Sequence, residues 1–62
     1  MIVELEVHSY TGTEIYNIND KNIERITYSY ETSGIEYYIY YSNKERKKLS
    51  GNFNFIETTI EE

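Results

Sequence analysis

Apolar and polar side chains alternate along most of this chain, and this period-two pattern constrains its fold more than any other feature. In the segment Ile2–His8, three aliphatic residues alternate with three polar ones: Val3, Leu5 and Val7 with Glu4, Glu6 and His8. Such alternation is typical of a β-strand with one buried face and one wet face. The pattern therefore predicts strands rather than helices.

The clearest pair of strands lies in the middle of the chain. Segments Ile23–Glu31 and Ile35–Ser42 are rich in β-branched and aromatic residues, and a short loop ending at Gly34 joins them. A hairpin connection of this length needs a residue with positive φ, and glycine adopts that conformation without steric cost. We expect these two segments to be adjacent antiparallel strands.

Two further strands are expected at Glu14–Ile18 and near the end of the chain. The last strand begins with Phe53 and Phe55 and continues through Ile60. Its apolar residues change side near Ile56, which indicates a bulge or a twist at that point.

The segment Asn43–Gly51 is charged and leaves two structures open. It forms either a short helical turn over Lys44–Leu49 or the tip of a second hairpin. The predicted fold class is all-β: a small antiparallel sheet or partly open barrel of about five strands, in up-and-down order. A chain of 62 residues is expected to form a single domain, 1–62, with a thin core.

Catalytic chemistry has few candidate residues here. The chain has no cysteine, its only imidazole is His8, and no serine lies in a nucleophile-elbow context, so no catalytic triad is expected. Glu4 and Glu6 would lie about 7 Å apart on one strand face, close to a glycosidase carboxylate spacing. Alternating glutamates are also the simplest way to keep an outer face soluble. We expect no enzyme, no metal site and no cofactor.

Charge is unevenly distributed. The net charge is −5, which disfavours nucleic-acid binding, yet four of the six cations lie at Lys44, Arg46, Lys47 and Lys48. This run is a wet loop tip, or a site for phosphate or for an acidic partner. The longest uncharged stretch is far too short to span a bilayer, so we expect no membrane insertion and a cytoplasmic protein.

Tyrosine is unusually abundant. Six of the eight tyrosines lie in Tyr28–Tyr41, and alternation puts rings on both faces of the second hairpin strand. We expect Tyr37 and Tyr41 to pack inward and Tyr38 and Tyr40 to be exposed. Exposed tyrosines commonly anchor protein interfaces. The candidate binding residues are Tyr28, Tyr30, Tyr38, Tyr40, Lys44, Arg46, Lys47 and Lys48.

Three functions compete, and in each the chain binds something. The leading interpretation is a small non-catalytic protein that binds a protein partner, as a phage or mobile-element inhibitor of a host defence protein would. Its small size, its acidity and a residue usage typical of AT-rich genes fit that interpretation. The first alternative is an oligomer that sequesters a nucleotide-type ligand by tyrosine stacking and the Lys44–Lys48 cations; the second is a nucleic-acid-binding small barrel.

We also expect a homo-oligomer. The core is thin, and the chain has no disulfide to stabilise it. Edge strands without proline leave backbone donors free to pair across a two-fold axis.

Overall fold

The alternating segments form six antiparallel strands in the computed structural model, which describes residues 1–51 and 53–61. No helix occurs in this part of the chain. The strands are β1 (Ile2–Ser9), β2 (Gly12–Asn17), β3 (Ile23–Glu31), β4 (Gly34–Tyr41), β5 (Arg46–Leu49) and β6 (Asn54–Thr59).

The strands divide into two three-stranded sheets with the orders β2–β1–β6 and β3–β4–β5. The all-β antiparallel class is confirmed, but the strands do not continue as one up-and-down sheet or close into a barrel. The reason lies in the turn after β2. The Asn17 and Asp20 side chains accept hydrogen bonds from the backbone N–H groups of Asn19 (2.8 Å) and Asn22 (2.9 Å). These local bonds turn the chain out of the first sheet, so β3 begins a second one.

The predicted central hairpin is confirmed. Strands β3 and β4 are adjacent and antiparallel, with Ile26 opposite Ile39 and Tyr28 opposite Tyr37. Gly34 has φ 129°, the positive value that the tight connection requires.

The helical turn considered for residues 44–49 is wrong, and the hairpin alternative is confirmed. The Tyr41 N–H donates to the Glu45 carbonyl (2.9 Å), and the Lys44 N–H donates to the Tyr41 carbonyl (3.1 Å). Lys44 has φ 75°, a left-handed conformation that a helix cannot contain. Strand geometry also lets β5 bury Leu49 against the core.

The bulge expected near Ile56 is not found there. Pairing with β1 is continuous from Phe55 to Glu57, so Ile56 points outward and remains 47% exposed. Glu57 takes the position opposite Leu5 on the inner side of β6 instead, and it remains exposed. The irregularity in this ladder lies between Ile2 and Glu4 of β1.

One face of each sheet supplies the core between the two layers. Leu5 of β1 and Ile39 of β4 are fully buried at its centre. Full burial of one such side chain stabilises a fold by roughly 1.5–3 kcal/mol. The other buried residues are Ile2, Val7, Tyr16, Ile23, Ile26, Tyr37 and Leu49.

Two matched Ile→Val substitutions test this arrangement. We expect Ile39→Val to lower the free energy of unfolding by about 0.5–1.5 kcal/mol, because a methylene group leaves the centre of the core. Ile15→Val, at a residue that is 59% exposed, should change it by less than about 0.5 kcal/mol. Urea unfolding followed by circular dichroism measures both, and equal losses would contradict the two-layer core.

Candidate binding surfaces

The register of the second sheet assembles tyrosines and cations on its outer face. Two rows of directly opposite residues cross the sheet, Arg25–Tyr40–Arg46 and Thr27–Tyr38–Lys48. Directly opposite side chains in antiparallel strands have Cβ atoms about 5 Å apart, close enough to interact. We call these six residues the cation–tyrosine face.

Arg25 reaches this face because of a bulge. Ile23 and Ile26 are both buried although they are three residues apart, so the pairing of β3 with β4 shifts between Ile23 and Arg25. The shift turns Arg25 outward, opposite Tyr40. Sequence reasoning left Arg25 out of the candidate residues, although the break in period two between the two isoleucines signals such a bulge.

Each arginine lies over a tyrosine ring of the central strand. The Arg25 Cζ atom is 4.2 Å from the centroid of the Tyr40 ring, and the Arg46 Cζ atom is 5.0 Å from that of Tyr38. The adjacent Arg46 guanidinium, aided by Arg25, lowers the pKa of Tyr40. Cation–π contacts at exposed sites contribute only about 0.5–1 kcal/mol, so the guanidinium groups can turn toward another ligand.

The lysine of this face is already paired. Lys48 Nζ lies 2.9 Å from Glu36 Oε2, and the Tyr38 hydroxyl donates to Glu36 Oε1 at 3.0 Å. Lys48 and then Tyr38 lower the pKa of Glu36, and Glu36 raises the pKa of Tyr38. Within residues 1–51 and 53–61, neither Arg25 nor Arg46 forms a salt bridge. The two arginines are thus the uncompensated charges of the face.

The predicted basic run is split in three by the β-hairpin. Arg46 and Lys48 lie on the cation–tyrosine face, whereas Lys47 lies on the opposite side of β5 and Lys44 lies in the turn. Lys47 Nζ donates to the Tyr16 hydroxyl (2.8 Å), which raises the pKa of Lys47, and Tyr16 in turn donates to Glu14. Lys47 therefore joins the edges of the two sheets and is not part of a phosphate site with its neighbours.

Tyr28 and Tyr30 occupy a different surface from Tyr38 and Tyr40. They belong to the inner face of β3, but they lie at the edge where the two sheets diverge, and they remain 50% and 77% exposed. Their rings meet edge to face, 5.3 Å apart. They border an open groove of about 990 Å³ between β3 and β6, with Ile2 and Ile26 also in its lining. Tyr38 and Tyr40 are half-buried on the outer face.

The outer face of the first sheet has the opposite character. Glu4 and Glu6 point outward from its central strand, and Glu6 is flanked across the sheet by Ile15 and Ile56. Both isoleucines are about half exposed, at 59% and 47%. His8 continues the row, with its Nε2 atom 3.4 Å from Glu6 Oε1. We call Glu4, Glu6, Ile15 and Ile56 the carboxylate–isoleucine face.

Among the residues that the structure describes, no three His, Asp or Glu side chains come together in a way that could hold a metal ion. The same part of the chain contains no helix with the length and apolar character needed to cross a membrane.

Glu57 is an exposed carboxylate on the inner side of β6, directly opposite Leu5, that sequence reasoning did not identify. It lies near Tyr37, whose ring is tilted at 41° to that of Phe55 with centroids 4.7 Å apart. Burial, followed by the Glu57 carboxylate, raises the pKa of Tyr37 to about 12. The alternation of apolar residues does not identify Glu57. The apolar residues before it, Phe53 and Phe55, and the apolar residue after it, Ile60, predict opposite faces of the strand.

A pH dependence follows for Tyr37. Between pH 10 and pH 12 the unfolded chain releases this proton while the folded chain keeps it, so the free energy of unfolding falls as pH rises. The loss is on the order of 2 kcal/mol. The variant Tyr37→Phe lacks this titrating hydroxyl. The difference in free energy of unfolding between wild type and variant should therefore be constant below pH 10 and should shrink above pH 10. Urea unfolding measured at each pH gives this gap.

The control is Ile39→Val, a core change without a titratable group, whose gap to wild type should stay constant throughout. A constant gap for Tyr37→Phe as well would contradict the assignment.

Comparisons with known proteins do not identify a function for these surfaces. No protein family, no curated protein and no solved structure matches the chain. What the chain does has to be inferred from its own residues.

Proposed function

We propose that this chain is a non-catalytic binding protein whose cation–tyrosine face docks on an acidic surface of a partner protein. One observation carries the proposal. Arg25 and Arg46 lie over the rings of Tyr40 and Tyr38 without a carboxylate partner of their own in the described chain, although the protein as a whole has a net charge of −5.

Arginine and tyrosine are the residue types that contribute most at protein interfaces. Their truncation at an interface centre often costs 2 kcal/mol or more. Arginine also suits this role because its planar guanidinium can donate two parallel hydrogen bonds to one carboxylate. On this face the guanidinium groups lie over tyrosine rings, and these weak contacts can give way to a carboxylate of the partner at little cost.

The shape of the face favours a protein over a small ligand. Sites for small molecules are concave, and the groove of about 990 Å³ between β3 and β6 reaches only one edge of this face, with Arg25 and Thr27 in its lining but neither Tyr38 nor Tyr40. The nucleotide alternative also required Lys44–Lys48 to act together, whereas these cations point in different directions. The net charge of −5 continues to weigh against nucleic acid.

We propose further that this chain inhibits the protein to which it binds. A small acidic protein that binds through one flat face can block a larger protein by covering its working surface. We propose a cytoplasmic host defence protein as the target and a phage or mobile element as the source of the chain.

Paired capture experiments test the proposal. Wild type and the double variant Arg25→Gln with Arg46→Gln are used as baits in lysate of host cells, and retained proteins are identified by mass spectrometry. We expect a partner with an acidic surface that binds the double variant at least tenfold more weakly in calorimetry, which corresponds to about 1.4 kcal/mol.

The matched control is Lys21→Gln with Lys44→Gln, which removes the same charge from exposed positions outside the face. It should bind like wild type. Binding unchanged by the arginine substitutions would contradict the proposal. Millimolar nucleotide could instead raise the melting temperature of wild type and not that of the arginine variant. That result would favour a nucleotide as the ligand of this face.

A further inference from the structure

The two outer faces of the sandwich are complementary to each other. We infer that a second copy of this chain is an occupant of the cation–tyrosine face, with its carboxylate–isoleucine face as the docking surface. This rests on the proposed function, because it names a partner for the same site. It also goes beyond that function, because each copy carries both halves of the contact.

Charge is the first element of the match. The carboxylate–isoleucine face has two carboxylates, Glu4 and Glu6, on its central strand β1. The cation–tyrosine face has two arginines without a salt bridge among the described residues, and their guanidinium groups lie over rings of its central strand β4. When the centre of one copy's carboxylate–isoleucine face lies over the centre of the other copy's cation–tyrosine face, the glutamates meet the arginines.

Spacing and apolar surface are the second element. Glu4 and Glu6 are two residues apart on one strand, as are Tyr38 and Tyr40, so both pairs repeat at about 7 Å. Ile15 and Ile56 flank the carboxylates from the two edge strands. Arg25 and Arg46 extend from the two edge strands of the other sheet. The isoleucines can therefore pack on the arginine stems while the charged groups pair at the centre.

Like charges disfavour the symmetric alternatives. A two-fold contact of the cation–tyrosine face with itself would bring the arginines of both copies together, because the Glu36 carboxylate on that side of the sheet is already paired with Lys48. A two-fold contact of the other face would bring the glutamates of both copies together. The contact is therefore head-to-tail, and a copy that has bound one neighbour can still bind another. This differs from the two-fold edge pairing that the sequence favours.

The contact is expected to be weak. A face three strands wide and six residues long covers about 15 by 20 Å, so the pair buries well below the 1,200–2,000 Å² typical of stable complexes. Both copies also carry a net charge of −5. At physiological ionic strength the Debye length is about 8 Å, so repulsion between distant charges is screened while the contacting groups still attract.

Sedimentation velocity of the purified protein at physiological salt tests the inference. Wild type should sediment as a monomer at micromolar concentration, and its mean sedimentation coefficient should rise past that of a dimer toward millimolar concentration. Glu4→Gln with Glu6→Gln lacks one half of the contact, and Arg25→Gln with Arg46→Gln lacks the other. Each double variant alone should remain a monomer.

The mixture of the two double variants gives the sharpest result. The glutamate variant retains an intact cation–tyrosine face and the arginine variant retains an intact carboxylate–isoleucine face, so an equimolar mixture should form 1:1 dimers and nothing larger. This recovery also shows that both variants are folded. Lys21→Gln with Lys44→Gln is the charge-matched control and should associate like wild type.

Three outcomes would overturn the inference: a monomeric wild type at millimolar concentration, association that persists in either double variant alone, or no complex in the mixture. Persistence in both variants would favour pairing through strand edges. A monomeric wild type whose arginines still hold a captured partner would leave the proposed function intact and remove the second copy alone.

Discussion

Each sheet of this protein buries one of its two faces in the core and leaves the other in water, so the side chains of the outer faces stay available for binding. Leu5 and Ile39 are fully buried at the centre of the two-layer core, and residues 1–51 and 53–61 form only these two sheets, so no third layer of theirs covers the outer faces. A chain of this size buries only about 60% of the surface that its unfolded form exposes. Any aromatic ring on an outer face therefore stays partly exposed to solvent, whether or not it has a role in binding. Tyr38 and Tyr40 are in that position.

Local pattern predicted much of the fold. Alternation identified the central hairpin, the need for Gly34, the burial of Tyr37 and the outward position of its neighbour Tyr38. It could not show which strands share a sheet, because side-chain alternation is the same in one sheet or in two. That choice is made by the Asn-rich turn after β2, whose side chains bond to the backbone and redirect it.

The candidate site was predicted only in part, for a related reason. Four neighbouring basic residues look like one cluster in the sequence, but a strand sends Lys47 to the opposite side from Arg46 and Lys48, and Lys44 lies in the turn. The bulge in β3 adds Arg25, a residue about twenty positions away. Charge patches on sheets are built across strands rather than along them, so register decides their membership.

Both proposals require that this protein, with a net charge of −5, has two outer faces of opposite sign. Solvent paramagnetic relaxation by NMR measures this directly, with one anionic and one cationic nitroxide added in turn to the labelled protein. The anionic probe should relax amide protons of Tyr38 and Tyr40 more strongly than the cationic probe does, and the order should reverse at Glu4 and Glu6. The same order at both faces would contradict the claim, because the arginines would then leave no positive surface for an acidic partner.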